Sequence, residues 1–430
     1  MNEKASAAWW LVAGTFVLAP ALFGQTAAPL TEQDAVNRAI AASPQLRDMR
    51  AAVAEAAANQ ILAEQAFRPT ASFSTTPGYA SGLPVAVLGQ VPAIGTIEAH
   101  QVFYDLSSKA DVFASRAQVD AAKAELDART RETARSVSEM IARYAADQAL
   151  VDAAQRQAAA ESVLVEHLQA LLKEGRVRAL DAARTALQLT TAQRGVELAR
   201  TTRDLDELRL RRAIGWPAEQ PLAVRPEPVP TTAAIASDDL ELAEKNDPVL
   251  QSLRARLVQL DRATALERNP FRPTVAAQVQ YSRLFARYGQ FYLNFKPDDF
   301  SVAATINLPL FTGGRRAAVV SRLAAQRERV AAQLQQRKDE LEIGVRQAEG
   351  GLKDAIAESE LAGRSHELAL ESLRVGEATA KEGRGEANDV AIAQAALAEA
   401  DRQVAQAEMQ VRIARAQLAV LRGELPEPQR

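Results

Sequence analysis

The chain has 430 residues and a formal net charge of only -3, with 51 Lys and Arg against 54 Asp and Glu and no basic stripe, so nucleic acid is not an expected partner. It contains no cysteine, which excludes disulfides, thiol nucleophiles, thiolate metal sites and an acylated N-terminal cysteine together. A composition dominated by Ala, Leu, Glu, Gln and Arg with helical periodicity displaces the two or three compact domains that this length would ordinarily suggest.

Residues 1–24 read as a secretory signal peptide. Lys4 precedes an apolar run from Ala7 to Phe23, interrupted by Thr15 and Pro20, and the small residues Gly24 and Ala27 mark where cleavage is expected. The other reading, an uncleaved anchor, is opposed by Pro20 and the short apolar length, and no later segment approaches about 18 consecutive apolar residues. Any membrane entry by the mature chain therefore has to use strands.

The rest is one unit written twice, 25–215 and 238–425, with a proline-rich connector at 216–237 and a tail at 426–430. Ser43-Pro44-Gln45-Leu46 is echoed by Asp247-Pro248-Val249-Leu250, and Phe67-Arg68-Pro69-Thr70 by Phe271-Arg272-Pro273-Thr274, both 204 residues on. Val102 to Asp105 corresponds to Pro309 to Thr312 at 207, and Lys173-Glu174-Gly175-Arg176 to Lys381-Glu382-Gly383-Arg384 at 208, as do Gly215 and Gly423. A nearly steady offset means internal duplication, with length differences confined to the strand hairpins.

Each unit opens with a short helix, 31–42 or 238–245, that a proline ends, and a second helix runs to Arg68-Pro69 or Arg272-Pro273. Two strands follow, 70–76 and 95–104 in the first unit and 274–284 and 300–311 in the second. In the last of these, Phe300, Val302, Ala304, Ile306 and Leu308 alternate with polar or small residues, giving one apolar face. Then come a long helix, a turn at Gly175 or Gly383, and another long helix ending at Gly215 or Gly423. Five prolines at 217, 221, 226, 228 and 230 predict a stiff, extended connector.

In the last helix Val390, Leu397, Val404, Val411 and Leu418 recur every seven residues, with Ala393, Ala400, Ala407, Ala414 and Leu421 three positions later, a seam that admits close approach of a neighbour. In the helix after Arg315, Val330, Leu341 and Leu352 recur every eleven residues, as do Leu334, Val345 and Ile356, which predicts nearly straight helices. About 65 residues span on the order of 100 Å at ~1.5 Å each, so such helices need neighbours along their whole length. The strands have the length of tilted membrane strands, and nine of the 18 Phe and Tyr residues lie between Phe271 and Phe311. Four strands cannot close a barrel, so the chain is expected to contribute them to a shared one.

With these features the chain resembles the TolC family of outer-membrane efflux proteins. The likeness is carried by Leu308-Pro309-Leu310-Phe311-Thr312-Gly313-Gly314, by the two proline-containing openings, and by the turns Gly175-Arg176-Val177-Arg178-Ala179-Leu180-Asp181 and Gly383-Arg384-Gly385-Glu386-Ala387-Asn388-Asp389. It implies a mainly α, internally duplicated fold and a homotrimer. Twelve strands then form a barrel in outer-membrane lipid, and long helices form a tunnel through the periplasm that docks to a periplasmic adaptor (membrane fusion) protein and an inner-membrane transporter. The chain departs from the family at Phe103-Tyr104-Asp105-Leu106-Ser107-Ser108, where a Gly-Gly joint is usual, so this joint has to turn on Asp and Ser. The first hairpin, with Pro77, Gly78, Gly82, Pro84 and Pro92, is irregular. A second acidic residue one helical turn beyond the Asp389 position is replaced by Ile392.

No catalytic constellation is present: His100, His167 and His366 are the only histidines, none in ligand spacing with another, and no Walker loop or nucleophile elbow occurs. The expected protein is not an enzyme and needs no cofactor or metal. Pro309, Phe311, Gly313 and Gly314 form the second strand-to-helix joint. Gly175 and Gly383 end the outgoing helices. Asp181 and Asp389 stand at or near the start of the returning helices, where capping alone accounts for a carboxylate. In a trimer Asp389 would also recur three times around the narrow periplasmic end, with Ile392 behind it as an apolar constriction, and Asp181 of the first unit is expected at the same gate. Arg176, Arg178, Ala179 and Leu180, with Gly383, Arg384, Gly385, Glu386 and Ala387, are either solvated turns or a docking surface for the adaptor. The expected function is a passive outer-membrane conduit for small-molecule efflux; protein export through a type I system, and a periplasmic coiled-coil scaffold or adaptor, are the alternatives.

Overall fold

A computed structural model describes residues 30–75, 94–225, 238–269, 272–284, 298–311, 313–382 and 387–424. The expected signal peptide, the loops of both strand hairpins, residues 226–237 and Gly383 to Glu386 lie outside the described residues.

The two units begin alike. Helix α1 (Glu32–Ala42) passes into α2 (Pro44–Glu64), and α5 (Asp239–Asn246) into α6 (Pro248–Arg268). Ser43 and Asp247 each end one helix and cap the next. Their amides donate to Ala39 and Ala243, and their side-chain oxygens accept from Leu46 N at 3.3 Å and Leu250 N at 2.6 Å. Pro44 and Pro248 sit in the first turn, where no amide donor is needed, and Leu46 and Leu250 are fully buried.

Two pairs of long helices follow: α3 (Leu106–Lys173, 68 residues) with α4 (Ala179–Ala213), and α7 (Arg315–Lys381, 67 residues) with α8 (Ala387–Arg422). They stand in a row in the order α7, α8, α3, α4, so that α7 and α4 occupy its two ends. At ~1.5 Å per residue α3 and α7 are each about 100 Å long. The eleven-residue stripe of α7 turns inward, with Val330, Leu341 and Leu352 all buried. On α8 the predicted seam is buried at Ala400, Ala407, Val411, Ala414 and Leu418, and a second stripe, Ala391, Ala398 and Ala405, is buried as well. Because α8 packs on both α7 and α3, it needs two seams, and alanine on each lets both neighbours approach closely.

Three of the long helices, α3, α4 and α8, end alike. Gly175, Gly215 and Gly423 take φ of 71°, 62° and 76°, and the residue after each donates back to Leu171, Arg211 and Ala419. These left-handed caps satisfy carbonyls that the helix would leave free. Gly215 rests on Ala42 and Gly423 on Asn246, the equivalent residues at the ends of α1 and α5.

Residues 216–225 of the connector are tied down rather than freely extended. Leu222 enters the core formed by Val36, Ile40, Leu46, Ile141, Leu210 and Ile214, and β4 (Val224–Arg225) pairs in parallel with β1 (Leu30–Thr31). Arg211 donates to the carbonyls of Pro217 and Gln220 at 2.9 and 2.6 Å, fixing the bend that proline alone does not specify.

Strands β2 (Thr70–Thr75), β3 (Ile94–Tyr104), β5 (Thr274–Leu284) and β6 (Asp298–Asn307) form one antiparallel sheet in the order β2-β3-β5-β6. The expected strand 300–311 is therefore displaced: it starts at Asp298 and stops at Asn307, which pairs with Thr274. Beyond that pair both strands run into proline, Pro309 on one and Pro273 on the other, and each removes a donor that the ladder needs to continue.

Candidate functional site

The register assigns each strand residue to a face. Phe73, Ile97, Tyr281 and Phe300 stand side by side across the four strands, and the next layer is Ala71, Ala99, Val279 and Val302. Ala277, Ala304, Val275 and Ile306 continue the same face. On the opposite face Ser72, Glu98, Gln280 and Ser301 form one layer and Ser74, Thr96, Ser282 and Asp299 another. Gln278 Nε2 donates to Glu98 Oε1 at 2.9 Å and Gln280 Nε2 to Ser282 Oγ at 3.1 Å, so the polar face is cross-linked among its own groups.

Such alternation ordinarily buries the apolar face against protein, yet here Phe73, Phe300 and Ile306 are 68, 67 and 72% exposed. Strands of ten and eleven residues, tilted by about 40°, stand roughly 25–30 Å tall, the thickness of a bilayer core, with the Arg283–Asp298 pair at one end of the apolar face. Both edges of the sheet, β2 and β6, have one unpaired side. Among the described residues no helix is long and apolar enough to cross a membrane.

Two joints connect sheet to long helix. At the first, Phe103 is the extra residue of a bulge between Val102 and Tyr104, and Asp105 caps α3. Burial raises the Asp105 carboxyl, but hydrogen bonds from the hydroxyls and amides of Ser107 and Ser108 outweigh it and hold the carboxyl down at about 2. The second joint turns on backbone alone: Gly313 and Gly314 have φ of 57° and 84°, and Gly314 is the N-cap of α7. Pro309 lies just past β6, Phe311 is almost fully exposed, and Arg316 reaches back to the carbonyls of Glu267 and Arg268 at the end of α6.

The tips of the long hairpins lie at the far ends of α3 and α7. Gly175 ends α3, and Arg176 pairs with Glu174 at 3.3 Å. Arg178 is the N-cap of α4, Ala179 its first residue, and Leu180 is exposed. Asp181 is the third residue of α4. Its carboxylate accepts from Arg178 Nε at 3.0 Å, so it belongs to an ion pair and not to a backbone cap. In the second tip Ala387 begins α8, Asp389 is again third and exposed, and Ile392, one turn on, is 56% exposed. Of the expected docking residues, Gly383, Arg384, Gly385 and Glu386 lie outside the described residues.

The sequence offered no signal for two ion pairs, one buried and one partly buried, that tie the short helices to the long ones. Arg422 of α8 reaches Asp239 of α5 at 2.6 Å, and Arg337 of α7 reaches Asp247 at 2.8 Å. Each joins residues about 90 or more positions apart, beyond the reach of any local pattern.

Residues 240–424 match the model of the family described as outer membrane efflux protein. No curated protein matches at the level of sequence. Among solved structures, the outer-membrane channel OprN has 14% identity and a TM-score of 0.75, covering 91% of this chain and 90% of its own. The outer membrane protein VceC of Vibrio cholerae has 16% identity, a TM-score of 0.71 and coverage of 91 and 96%. The open state of the MtrE outer membrane channel of Neisseria gonorrhoeae has 16% identity, a TM-score of 0.74 and coverage of 93 and 91%. The second repeat thus carries the sequence signature of outer membrane efflux proteins, on a TolC-like fold that the chain shares along nine-tenths of its length with outer-membrane channels.

Proposed function

We propose that this protein is the outer-membrane channel of a tripartite efflux system, a passive conduit that three copies build together. The observation that carries the reading is that sheet and helix row are open in the same way. The sheet ends in β2 and β6, the row in α4 and α7, and both end helices expose leucines, Leu187, Leu198 and Leu205 on α4 and Leu361 and Leu368 on α7. Because the four strands alternate in direction, β2 and β6 are antiparallel to each other, so copies can join edge to edge without breaking the alternation. Three copies give twelve strands, a closed barrel with the apolar face in lipid and Glu98, Gln278 and Gln280 toward the lumen.

In that assembly the tips of α3–α4 and α7–α8 reach the periplasmic end. Gly175 to Asp181 and Gly383 to Asp389 are the surface offered to an adaptor, and an inner-membrane transporter supplies the driving force. Asp389 recurs three times around the mouth and favours cations, with Ile392 behind it. Single-channel recording in planar bilayers tests this: the wild-type chain forms cation-selective pores, and Asp389→Ala loses most of that selectivity. An unchanged selectivity in the variant removes Asp389 from the mouth, and an absence of pores removes the conduit itself.

A further inference from the structure

The two helical hairpins are copies, but among the positions where their seams differ one facing pair changes from apolar to ionisable. In α7–α8, Ala355 and Ala414 pack within a cluster completed by Ala348, Leu352, Val411 and Leu418. Counted from the tip glycines, the equivalent residues of α3–α4 are Asp147 and Asp206. Tyr144 and Leu210, the counterparts of Leu352 and Leu418, are buried as expected, but the alanine contact is replaced by two carboxyls facing each other across the seam. Both are buried, at 7 and 9% exposure, and Asp147 Oδ2 has no hydrogen-bond partner.

Charge on the two groups is compensated unequally. Arg209 donates to Asp206 Oδ1 at 2.5 Å, whereas the cation acting on Asp147 is Arg143, on its own helix. Charged groups of α4 beside the pair are Glu207, Arg203 and Arg211, which act on neighbouring Tyr144. Two facing carboxylates in a buried seam repel, and the remedy at hand is a proton shared between them.

We propose that Asp147 and Asp206 make the first helical hairpin proton-responsive: a shared proton closes the α3–α4 seam at low pH, its loss loosens the seam at higher pH, and α7–α8 does not respond. Burial first, and then the charge of Asp206, raise the Asp147 carboxyl from 3.8 to about 6. A raised value means that the closed seam holds the proton more tightly than the open one. Closure is therefore fully favoured below about 3.8, declines as the pH climbs, and has lost the whole contribution above about 6.

Hydrogen–deuterium exchange on the full chain in detergent, at pH 5 and pH 8 and corrected for intrinsic rates, tests the proposal. Peptides around Asp147 and Asp206 open about tenfold more at pH 8 than at pH 5, the factor that a shift of this size gives between those values. Peptides around Ala355 and Ala414 change less than twofold. Asp147→Asn keeps the shape and removes the response, as does Asp147→Ala with Asp206→Ala, which installs the residues of the second hairpin. A chelator leaves the response intact. Equal responses in the two hairpins, a response that survives in Asp147→Asn, or one that a chelator abolishes overturns the proposal.

Discussion

Gly423→Ala lowers stability by about 2–4 kcal/mol, the sum of a left-handed backbone that alanine resists and an overpacked contact. Gly423 has φ of 76°, and a Cβ built there falls 2.7 Å from Arg131 Nη1 and 2.8 Å from Asn246 Cβ. The arginine tip can swing away, but Asn246 is held by its own bond from Nδ2 to Arg422 O at 2.6 Å. Gly175 has a similar φ of 71° and open space around it, so Gly175→Ala carries only the backbone cost, about 1–2 kcal/mol. Gly215, whose Cβ would meet Ala42 Cβ at 3.1 Å, lies between. Thermal unfolding in detergent reads the order directly: Gly175→Ala melts highest of the three variants and Gly423→Ala lowest. Equal melting temperatures would mean that the packing of α5 on the end of α8 is not as described.

Arg422→Met costs about 3–5 kcal/mol, because it leaves Asp239 charged and buried without its cation. Asp239 is fully buried and Arg422 is 11% exposed, with 2.6 Å between them. Adding Asp239→Leu to Arg422→Met recovers most of the loss, since two apolar groups of similar size remove the stranded charge. The exposed pair Arg178–Asp181 at the tip behaves differently: solvent screens it, and Arg178→Met changes stability by less than about 1 kcal/mol. Urea unfolding of the three variants separates these cases, and a double variant no better than Arg422→Met would contradict the buried-pair account.

What could be read from the sequence is what repeats or alternates. The 204 to 208 offset, the Pro-containing openings, the tip glycines and the strand alternation each follow from a local requirement, a cap, a left-handed residue or a two-residue period, so they leave a mark on the chain itself. The replacement of a Gly-Gly joint by Asp and Ser was legible for the same reason, and Asp105 does turn that joint through Ser107 and Ser108. The true end of β6 was not, because it depends on Pro273 of the partner strand as much as on Pro309. The second stripe of α8, Ala391, Ala398 and Ala405, is hidden in a helix rich in alanine throughout, and only contact with both α7 and α3 distinguishes it. Asp147 and Asp206 lie 59 positions apart with no local pattern linking them, and only the fold turns them toward each other. At the tips, the sequence located Asp181 and Asp389 but not what Asp181 does: its partner is the side chain of Arg178, two residues before Leu180, and no spacing rule separates that from a cap.

The central claim, that copies of this chain close edge to edge into a ring of three, is tested most directly by cysteine cross-linking in a protein that has no cysteine of its own. Cysteines are introduced in pairs, one on β2 around Ser72 and one on β6 around Ser301, and oxidised in isolated outer membranes. Each copy then offers one edge of each kind, so a closed ring of three yields covalent dimers and trimers and a ladder that stops at three on a denaturing gel. A ladder that runs on past three, or no cross-linking at any register while the protein fractionates away from the outer membrane, would contradict it.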